Sequence, residues 1–246
     1  MESGAGRVGG GTFPAGLEQP EGSFRFSTDA LLLADFAGQV ALPEKAVVAD
    51  LGTGCGVVAL SVLRERASWK AVGVEVQPVL AAAARRNAVS LGLESRFFVV
   101  QGDVTSRECL REARAVLSGG KDGNPGLFDA VTCNPPWRCE GAGRLPPSDM
   151  RRMALFGTER TFPAFFSAAD GLLRSGGVLA AVSGAERTAE LLAALPGRLN
   201  PELLRFVFTR PGAPATFVLL LARKNGRAAL RVERQDGAGE SVLSRS

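Results

Sequence analysis

Apolar and polar positions along the chain change period in a repeating way, which predicts strands and helices in alternation. Residues 47–50 form a short apolar run that ends at glycines, and a mostly apolar helical stretch follows at 57–63. The pattern predicts further strands at residues 70–76, 96–100, 128–133 and 177–183, and helices from Pro78 to Gly92, at 107–116, at 162–174 and at 186–194. Strands that alternate with helices in this way are typical of a parallel sheet covered on both faces.

The C-terminal part of the chain changes this pattern. Two apolar runs, at residues 203–209 and 216–223, are joined by R-P-G-A-P, which predicts an antiparallel hairpin. Upstream, the pair Gly176-Gly177 is predicted to end one helix before the next strand begins. We therefore predict an α/β fold with a doubly wound, mostly parallel seven-stranded sheet that ends in a C-terminal antiparallel hairpin.

The two ends of the chain differ in composition from its middle. The start, M-E-S-G-A-G-R-V-G-G-G, has no apolar signal-peptide core, so residues 1–22 are predicted as a flexible tail. Residues 23–224 are predicted as one domain, and residues 225–246 as a polar extension with room for a short strand at 228–232. A chain of 246 residues, 46% of them hydrophobic, is large enough to bury a core of this kind.

Several classes of chemistry are excluded by residue usage. The chain has no histidine, which removes histidine-based triads and histidine metal sites. Its cysteines are Cys55, Cys109, Cys133 and Cys139, which form no C-x-x-C pair, so we expect free thiols, a cytoplasmic location and no metal. No apolar run is long enough to predict a membrane span. The net charge of +4 is compatible with a nucleic-acid partner, but many basic proteins bind no nucleic acid.

The first candidate site is the sequence D-L-G-T-G-C-G at residues 50–56, between a predicted strand and a predicted helix. Gly52, Gly54 and Gly56 would let the backbone approach a ligand closely, which a Cβ atom would obstruct. The spacing G-x-G-x-G differs from the G-x-G-x-x-G of pyrophosphate binders. Asp50 would repel a pyrophosphate and suits a cationic amino-acid ligand. The alternative is a structural glycine turn in some other α/β protein.

Two acids follow the next two predicted strands. Glu75 stands 25 residues after Asp50, at the position where ribose hydroxyls are held in doubly wound sheets. Asp103 follows the third strand and has two interpretations: it accepts a hydrogen bond from an adenine amino group, or it caps the next helix.

The second candidate site is Asn134-Pro135-Pro136-Trp137, directly after the strand at 128–133. The prolines must end the strand and they stiffen the turn. The amide oxygen of Asn134 can accept a hydrogen bond, and the ring of Trp137 offers a face on which a base can stack. Together they suit a planar substrate that carries an NH₂ group. Taken alone, the tetrapeptide is also compatible with an ordinary turn.

Two further segments lie beside these motifs. The Gly/Pro-rich stretch at 139–152 is predicted to be a substrate loop, in which Arg144, Arg151 and Arg152 contact phosphates; the alternative is a solvated basic surface. Residues 23–36 predict a helix that begins near Asp29, with Ser27 or Thr28 as its cap. This helix either packs against one edge of the sheet or covers the ligand pocket.

Taken together, these segments resemble class I S-adenosylmethionine-dependent methyltransferases that act on exocyclic or amide nitrogens. The resemblance is closest to the bacterial tRNA1(Val) (adenine-N6)-methyltransferase family, which modifies adenosine 37. It rests on F-R-F-S-T-D-A-L-L-L-A-D-F at 24–36, D-L-G-T-G-C-G at 50–56, N-P-P-W at 134–137 and R-P-G-A-P-A at 210–215, and covers residues 24–224. Trp137 stands where the family more often has tyrosine, and the Gly/Pro composition of 139–147 also departs from it.

The resemblance implies S-adenosylmethionine as cofactor and tRNA as substrate. The cofactor would be bound by Asp50, Gly52, Gly54, Gly56, Glu75, Asp103 and Asn134. The catalytic residues would be Asn134, Pro135, Pro136 and Trp137, with the adenine amino group bonded to the Asn134 oxygen and the Pro135 carbonyl.

Other functions share parts of this pattern. A protein-glutamine N5-methyltransferase has a similar N-P-P-Y turn, but it usually has an extra N-terminal helical domain, and about 23 residues precede the segment at 24–36 here. The further alternatives are an rRNA guanine-N2-methyltransferase, a DNA adenine methyltransferase, for which no target-recognition domain is evident, and a non-catalytic scaffold.

Overall fold

The computed structural model describes residues 5–8, 11–14, 16–20, 28–118, 127–137 and 158–237. Its strands are β1 (Ala5–Val8), β2 (Gly11–Pro14), β3 (Val47–Leu51), β4 (Lys70–Glu75), β5 (Phe97–Gln101), β6 (Phe128–Cys133), β7 (Leu173–Gly184), β8 (Leu199–Phe208), β9 (Phe217–Lys224) and β10 (Arg231–Asp236). Its helices are α1 (Thr28–Gly38), α2 (Val57–Glu65), α3 (Pro78–Ser90), α4 (Arg107–Ser118), α5 (Thr161–Leu172) and α6 (Thr188–Ala193), with a 3-10 turn at Ala185–Arg187.

The main sheet has the strand order β10-β8-β9-β7-β6-β3-β4-β5. The pairs β3–β4, β4–β5, β3–β6 and β6–β7 are parallel, whereas β9 is antiparallel to both of its neighbours. The predicted doubly wound sheet with a C-terminal antiparallel hairpin is confirmed. The sheet has eight strands rather than seven, because β10 pairs in parallel with β8 at one edge.

The strand order reverses on either side of β3, which positions the candidate site. The chain passes from β3 through β4 to β5 in one direction, and then returns to place β6 and β7 on the other side of β3. Helices that connect the two halves therefore diverge, and a crevice opens at the carboxyl ends of the strands. The glycine-rich turn follows β3 and the N-P-P-W segment follows β6, so both lie at this crevice.

Both faces of the sheet are buried, which explains why the central strands are apolar throughout. One cluster of buried side chains joins the sheet to α1, α2 and α3, and includes Leu33 and Leu60, each with no exposed area. The other joins the opposite face to α4, α5 and α6, and includes Phe166 and Leu191. No helix within the described ranges is long and apolar enough to cross a membrane.

The pair Gly176-Gly177 does not separate a helix from a strand as predicted. Helix α5 ends at Leu172, and β7 begins at once with Leu173, so Gly176 and Gly177 lie inside the strand. The pairing of β6 with β7 shifts register between Leu173 and Val178, and Gly176 has φ of +76° there. The extra residues form an irregularity in the ladder that glycine permits, so the strand continues where a break is predicted.

Within residues 1–22, which are predicted as a flexible tail, the structure describes two paired strands and one residue of the core. β1 and β2 are antiparallel, with Ala5 opposite Pro14 and Val8 opposite Gly11. Residues 16–20 are also held in place, because Leu17 is 8% exposed and belongs to the core on the α1 face.

Asn87 in α3 anchors this N-terminal segment to the glycine-rich turn. Its Oδ1 accepts a hydrogen bond from the Glu18 backbone N–H at 2.8 Å. Its Nδ2 donates to the Glu18 carbonyl at 3.1 Å and to the Cys55 carbonyl at 2.9 Å. Arg86 adds an ion pair with Glu18 at 2.6 Å. One buried amide therefore connects the N-terminal segment, the turn and α3.

We predict that Asn87→Ala lowers the free energy of unfolding by about 1–3 kcal/mol, because the buried Cys55 carbonyl and the partly buried backbone groups of Glu18 lose their bonds to the amide. Urea denaturation followed by circular dichroism measures this. Asn200→Ala is the matched control, since it removes a single exposed bond to the Ala228 carbonyl. Equal losses for the two variants would contradict the anchoring role of Asn87.

Candidate functional site

The predicted site residues of four separate strands meet at one edge of the sheet. Gly52 follows β3, Glu75 ends β4, Asp103 follows β5 and Asn134 follows β6. These strands are adjacent and parallel, in the order β6-β3-β4-β5, so their carboxyl ends lie side by side. The sequence motifs are therefore parts of a single surface.

The glycine-rich turn is built by hydrogen bonds to β4. The backbone N–H groups of Gly52 and Thr53 donate to the Val74 carbonyl at 2.8 and 3.0 Å. Gly52 and Gly54 have φ of +68° and +58°, which side chains rarely adopt. A Cβ atom on Gly54 would meet nothing within 4 Å, so open space lies in front of this residue, as expected for a turn that contacts a ligand.

Gly56, which is predicted to bind the ligand, is closely packed at the start of α2. It is buried, and a Cβ atom there would lie 3.0 Å from Leu60 Cδ1 and 3.2 Å from Phe97 Cε1. Its φ is +91° at the start of α2. The residue allows the helix to begin close to β5 and faces the core rather than the open space.

Asp50, which is predicted to contact a cationic ligand, faces the interior. It is 2% exposed, and its two oxygens accept hydrogen bonds from the hydroxyls of Thr53 at 2.6 Å and Thr132 at 2.7 Å. Burial raises the pKa of Asp50 from 3.8 to about 6. Its carboxylate joins β3, the glycine-rich turn and β6, so its role is to hold the site together.

Glu75 presents a fixed carboxylate beside the turn. Its Oε2 accepts a hydrogen bond from the Gly54 N–H at 2.9 Å, and its Oε1 accepts one from the Gln77 N–H at 2.8 Å. The residue is 5% exposed, and burial raises its pKa. The side-chain oxygen of Gln77 is buried and has no hydrogen-bond partner among the described residues. The end of β4 thus offers hydrogen-bond acceptors next to the open space at Gly54.

Asp103 is exposed and organises the turn that precedes α4. Its Oδ1 accepts hydrogen bonds from the backbone N–H of Thr105 at 2.7 Å and from the Thr105 hydroxyl at 2.8 Å. The cap of α4 is formed by Ser106, whose hydroxyl accepts a bond from the Cys109 N–H at 3.3 Å. The helix-cap interpretation of Asp103 is therefore not what the structure shows, and its position at the β5 end remains compatible with ligand binding.

The Asn134–Trp137 segment begins where β6 ends. Asn134 is partly exposed, and its Nδ2 donates a hydrogen bond to Oδ2 of Asp29 at 3.1 Å. Pro135 is buried. The partly exposed Trp137 ring contacts Phe217 in a T-shaped arrangement, with ring centroids 6.3 Å apart. The amide and the indole therefore lie on one short turn that is packed from two sides.

Arg187 supports this turn and has no signal in the sequence. It is 6% exposed, and its guanidinium donates to the Trp137 carbonyl, pairs with Glu190 and lies 5.0 Å from the centre of the Phe162 ring. Asp29 is a second residue whose contact was not predicted, although it lies in the segment that carries the family resemblance. Both contacts join distant parts of the chain.

Some predicted residues lie outside the described residues: Arg144, Arg151 and Arg152 of the candidate substrate loop, and Cys139. The other cysteines, Cys55, Cys109 and Cys133, are free and buried, and burial raises the pKa of Cys55 to about 11. Across the part of the chain that the structure describes, no three His, Cys, Asp or Glu side chains are grouped so as to hold a metal ion.

Comparisons with known proteins agree with this architecture. A family described as the precorrin methyltransferase domain matches residues 30–145. In overall structure the chain is similar to a predicted O-methyltransferase from Agrobacterium tumefaciens, with a TM-score of 0.61 and 27% identity, over 85% of this chain and 86% of that one.

Two kinds of curated relatives are similar in sequence. The tRNA1(Val) (adenine(37)-N6)-methyltransferase of Porphyromonas gingivalis is 29% identical over 201 residues, which cover 79% of this chain and 72% of that protein. The release factor glutamine methyltransferase of Moorella thermoacetica is 33% identical over 150 residues, or 58% of this chain. The match spans only 48% of that second relative's length.

The chain has the fold of the class I S-adenosylmethionine-dependent methyltransferases and is similar in sequence to methyltransferases. S-adenosylmethionine is therefore the cofactor, and the strand ends fit it. It carries amine, hydroxyl and adenine-amino donors, and the structure offers an open approach at Gly54 with carboxylate and amide acceptors at Glu75 and Gln77. The resemblance to the tRNA1(Val) adenine-N6 family is confirmed by relatives of that name.

We predict that Asp50→Asn changes how the stability of this methyltransferase depends on pH. Unfolded Asp50 loses its proton near pH 3.8 and folded Asp50 near pH 6, so wild-type stability falls between these values relative to the variant and is constant above them. The variant keeps the shape and can bond to both threonines. Its free energy of unfolding should therefore rise relative to wild type by up to about 3 kcal/mol across this window. Urea denaturation from pH 4 to 7 measures the difference, and parallel curves would contradict it.

Proposed function

We propose that this methyltransferase transfers the methyl group to the exocyclic N6 of an adenine in tRNA, at a position equivalent to adenosine 37 of tRNA1(Val). The observation that carries the proposal is an amide acceptor and an aromatic ring, Asn134 and Trp137, on one short turn beside the glycine-rich turn. The similarity to tRNA1(Val) (adenine(37)-N6)-methyltransferases supports it, since that match extends over most of both chains.

The adenine amino group needs help because its lone pair is delocalised into the ring. We propose that its two N–H groups donate to the Asn134 oxygen and to the Pro135 carbonyl. These bonds favour a pyramidal nitrogen and aim the lone pair toward the methyl group. The bond from nitrogen to the methyl carbon would form as the methyl–sulfur bond breaks to leave a neutral thioether, and the methylated nitrogen would then lose one N–H proton to water. Catalysis is then positioning and electrostatic preorganisation, which needs no histidine and no metal.

S-adenosylmethionine supplies a methyl group that its sulfonium already activates. We propose that Gly52 and Gly54 contact the amino-acid end, that Glu75 accepts hydrogen bonds from the ribose, and that Asp103 accepts one from the adenine. Asn134 would adjoin both the cofactor and the acceptor. Asp50 and Gly56 act indirectly, because both face the core.

Trp137 is assigned to stack on the target base. Its ring is fixed by Phe217 and its carbonyl by Arg187, so the plane that meets the base is set before binding. A base in an RNA loop costs less to extrude than one in a duplex. Contacts of Arg144, Arg151 and Arg152 with phosphates belong to the same proposal and would make RNA binding weaker as salt increases.

A second candidate is methylation of a glutamine side chain in a protein. The specific observation in its favour is the 33% identity to a release factor glutamine methyltransferase. A primary amide also presents an NH₂ group, which Asn134 and Pro135 would bind in the same way. The RNA substrate is preferred because the match to the tRNA enzymes extends further along both chains.

The function is tested with bulk tRNA from a strain that lacks the protein. The tRNA is incubated with the purified protein and S-adenosylmethionine, digested, and analysed by mass spectrometry of nucleosides. N6-methyladenosine is expected. N2-methylguanosine, or methylglutamine formed in release factor instead of any RNA product, would show that the acceptor is assigned wrongly while the cofactor chemistry stands.

We predict that Asn134→Ala and Trp137→Ala fail in different ways. Loss of the Asn134 acceptor should lower kcat by about 10²–10³-fold, while S-adenosylmethionine still binds in calorimetry. Loss of the Trp137 ring should mainly raise KM for tRNA, since stacking contributes about 1–3 kcal/mol per base.

Trp137→Phe and Trp137→Tyr serve as the matched controls, because either ring still offers an aromatic face. Both should keep much of the activity. The two assignments fail if Asn134→Ala retains wild-type kcat, or if the aromatic replacements lose as much as Trp137→Ala.

A further inference from the structure

Asp29 and Asn134 are 105 residues apart in the chain and are joined by a hydrogen bond of 3.1 Å from Asn134 Nδ2 to Asp29 Oδ2. Asp29 lies in the first turn of α1 and is 4% exposed. We propose that Asp29 is a positioning residue that fixes the Asn134 amide so that its oxygen faces the methyl acceptor. This rests on the proposed function, in which that oxygen accepts a hydrogen bond from an NH₂ group.

The orientation of the Asn134 amide decides whether the site can work. A rotation of 180° about the last side-chain bond exchanges the oxygen with the NH₂ group. In one orientation the NH₂ group of the substrate meets the Asn134 oxygen. In the other it meets the NH₂ group of Asn134, which repels it. Nothing in an isolated asparagine side chain selects between the two.

A carboxylate makes the selection because it can only accept hydrogen bonds. With Asp29 Oδ2 beside the amide, the Nδ2 atom of Asn134 must face Asp29. The oxygen of Asn134 is thereby directed away from Asp29.

Asp29 is itself held in one arrangement. Its other oxygen, Oδ1, accepts a hydrogen bond from the Ala30 N–H at 2.9 Å. The following residues, Leu31, Leu32 and Leu33, are 6%, 1% and 0% exposed, so the start of α1 is fixed in the core. The N-terminal end of a helix also favours a negative charge. The carboxylate therefore stays in place when a substrate enters.

In this proposal Asp29 acts on the reaction through Asn134, and its two oxygens accept hydrogen bonds from the Ala30 N–H and from Asn134 Nδ2. Asp29 acts through Asn134 and does not remove a proton from the acceptor. The distinction predicts that Asp29 has no influence once the Asn134 amide is gone.

The kinetic test uses Asp29→Ala and the isosteric Asp29→Asn, with Asp35→Asn as the matched control on the same helix. Both Asp29 variants should lose about 10–100-fold in kcat on the tRNA described above, as misplaced groups do. The affinity of both variants for S-adenosylmethionine should change little, and so should the melting temperature of Asp29→Asn, which keeps the shape of the side chain and an oxygen for the Ala30 N–H. Asp35 bonds to the side chain of Gln39, so its replacement should leave kcat unchanged.

Asp29→Asn is the sharper of the two variants. The amide that replaces the carboxylate must use its oxygen for the Ala30 N–H, which turns its own NH₂ group toward Asn134. The side chain of Asn134 then turns its oxygen toward residue 29 and its NH₂ group toward the substrate. A residue that only fills space would be rescued by this isosteric change, so wild-type kcat in Asp29→Asn would overturn the proposal.

The double variant Asp29→Ala/Asn134→Ala tests whether the two residues act as one unit. Its kcat should equal that of Asn134→Ala alone. A further loss of tenfold or more would show that Asp29 contributes independently and would overturn the positioning role.

Nuclear magnetic resonance provides a readout that needs no turnover. The side-chain amide signals of Asn134 are identified by their absence in Asn134→Ala, and they should move in Asp29→Ala and not in Asp35→Asn. Unmoved signals would overturn the proposal. If the wild-type protein forms no N6-methyladenosine, the proposed function fails, and these signals alone decide whether Asp29 orients Asn134.

Discussion

One buried carboxylate holds together the three pieces of backbone on which the site depends. Asp50 ends β3, bonds to Thr53 in the glycine-rich turn and bonds to Thr132 in β6, the strand that leads to Asn134. The distance between the glycine-rich turn and the Asn134–Trp137 turn is therefore set in the core. Burying Asp50 disfavours its charge, and the hydrogen bonds from the hydroxyls of Thr53 and Thr132 only partly offset this cost. The fold therefore gives up some stability to keep this connection.

Much of the fold follows from local pattern. The strand predicted at residues 128–133 is observed with the same ends, because an apolar run is followed by two prolines that cannot continue it. Pro78 opens α3, and Gly92 follows its end with φ of +65°, as their backbone preferences require. The start of β7 was not predicted, because whether Gly176 breaks a strand or forms an irregularity within it depends on the neighbouring strand.

The sequence predicts where the candidate motifs lie when their residues follow one another along the chain, and it does not predict their tertiary contacts. The motifs at Gly52–Gly54 and Asn134–Trp137 were located from their positions after apolar runs. Spacing does not show which way a side chain points, so Asp50 and Gly56 were assigned to the ligand although they face the core. Asp29 and Arg187 reach the site from distant elements, and no pattern in one sequence shows such contacts.

The contacts of Asn87 bear on where this chain can be shortened. A Gly-rich leader looks dispensable, and a boundary at residue 22 would be a natural choice for producing a minimal protein. That boundary would remove Leu17 from the core. It would also remove the N–H and carbonyl groups of Glu18, so that the Asn87 side chain would keep, of these three bonds, the one to the Cys55 carbonyl in the glycine-rich turn. A shortened chain that retains residue 16 onward keeps that support, and affinity tags are best placed upstream of it.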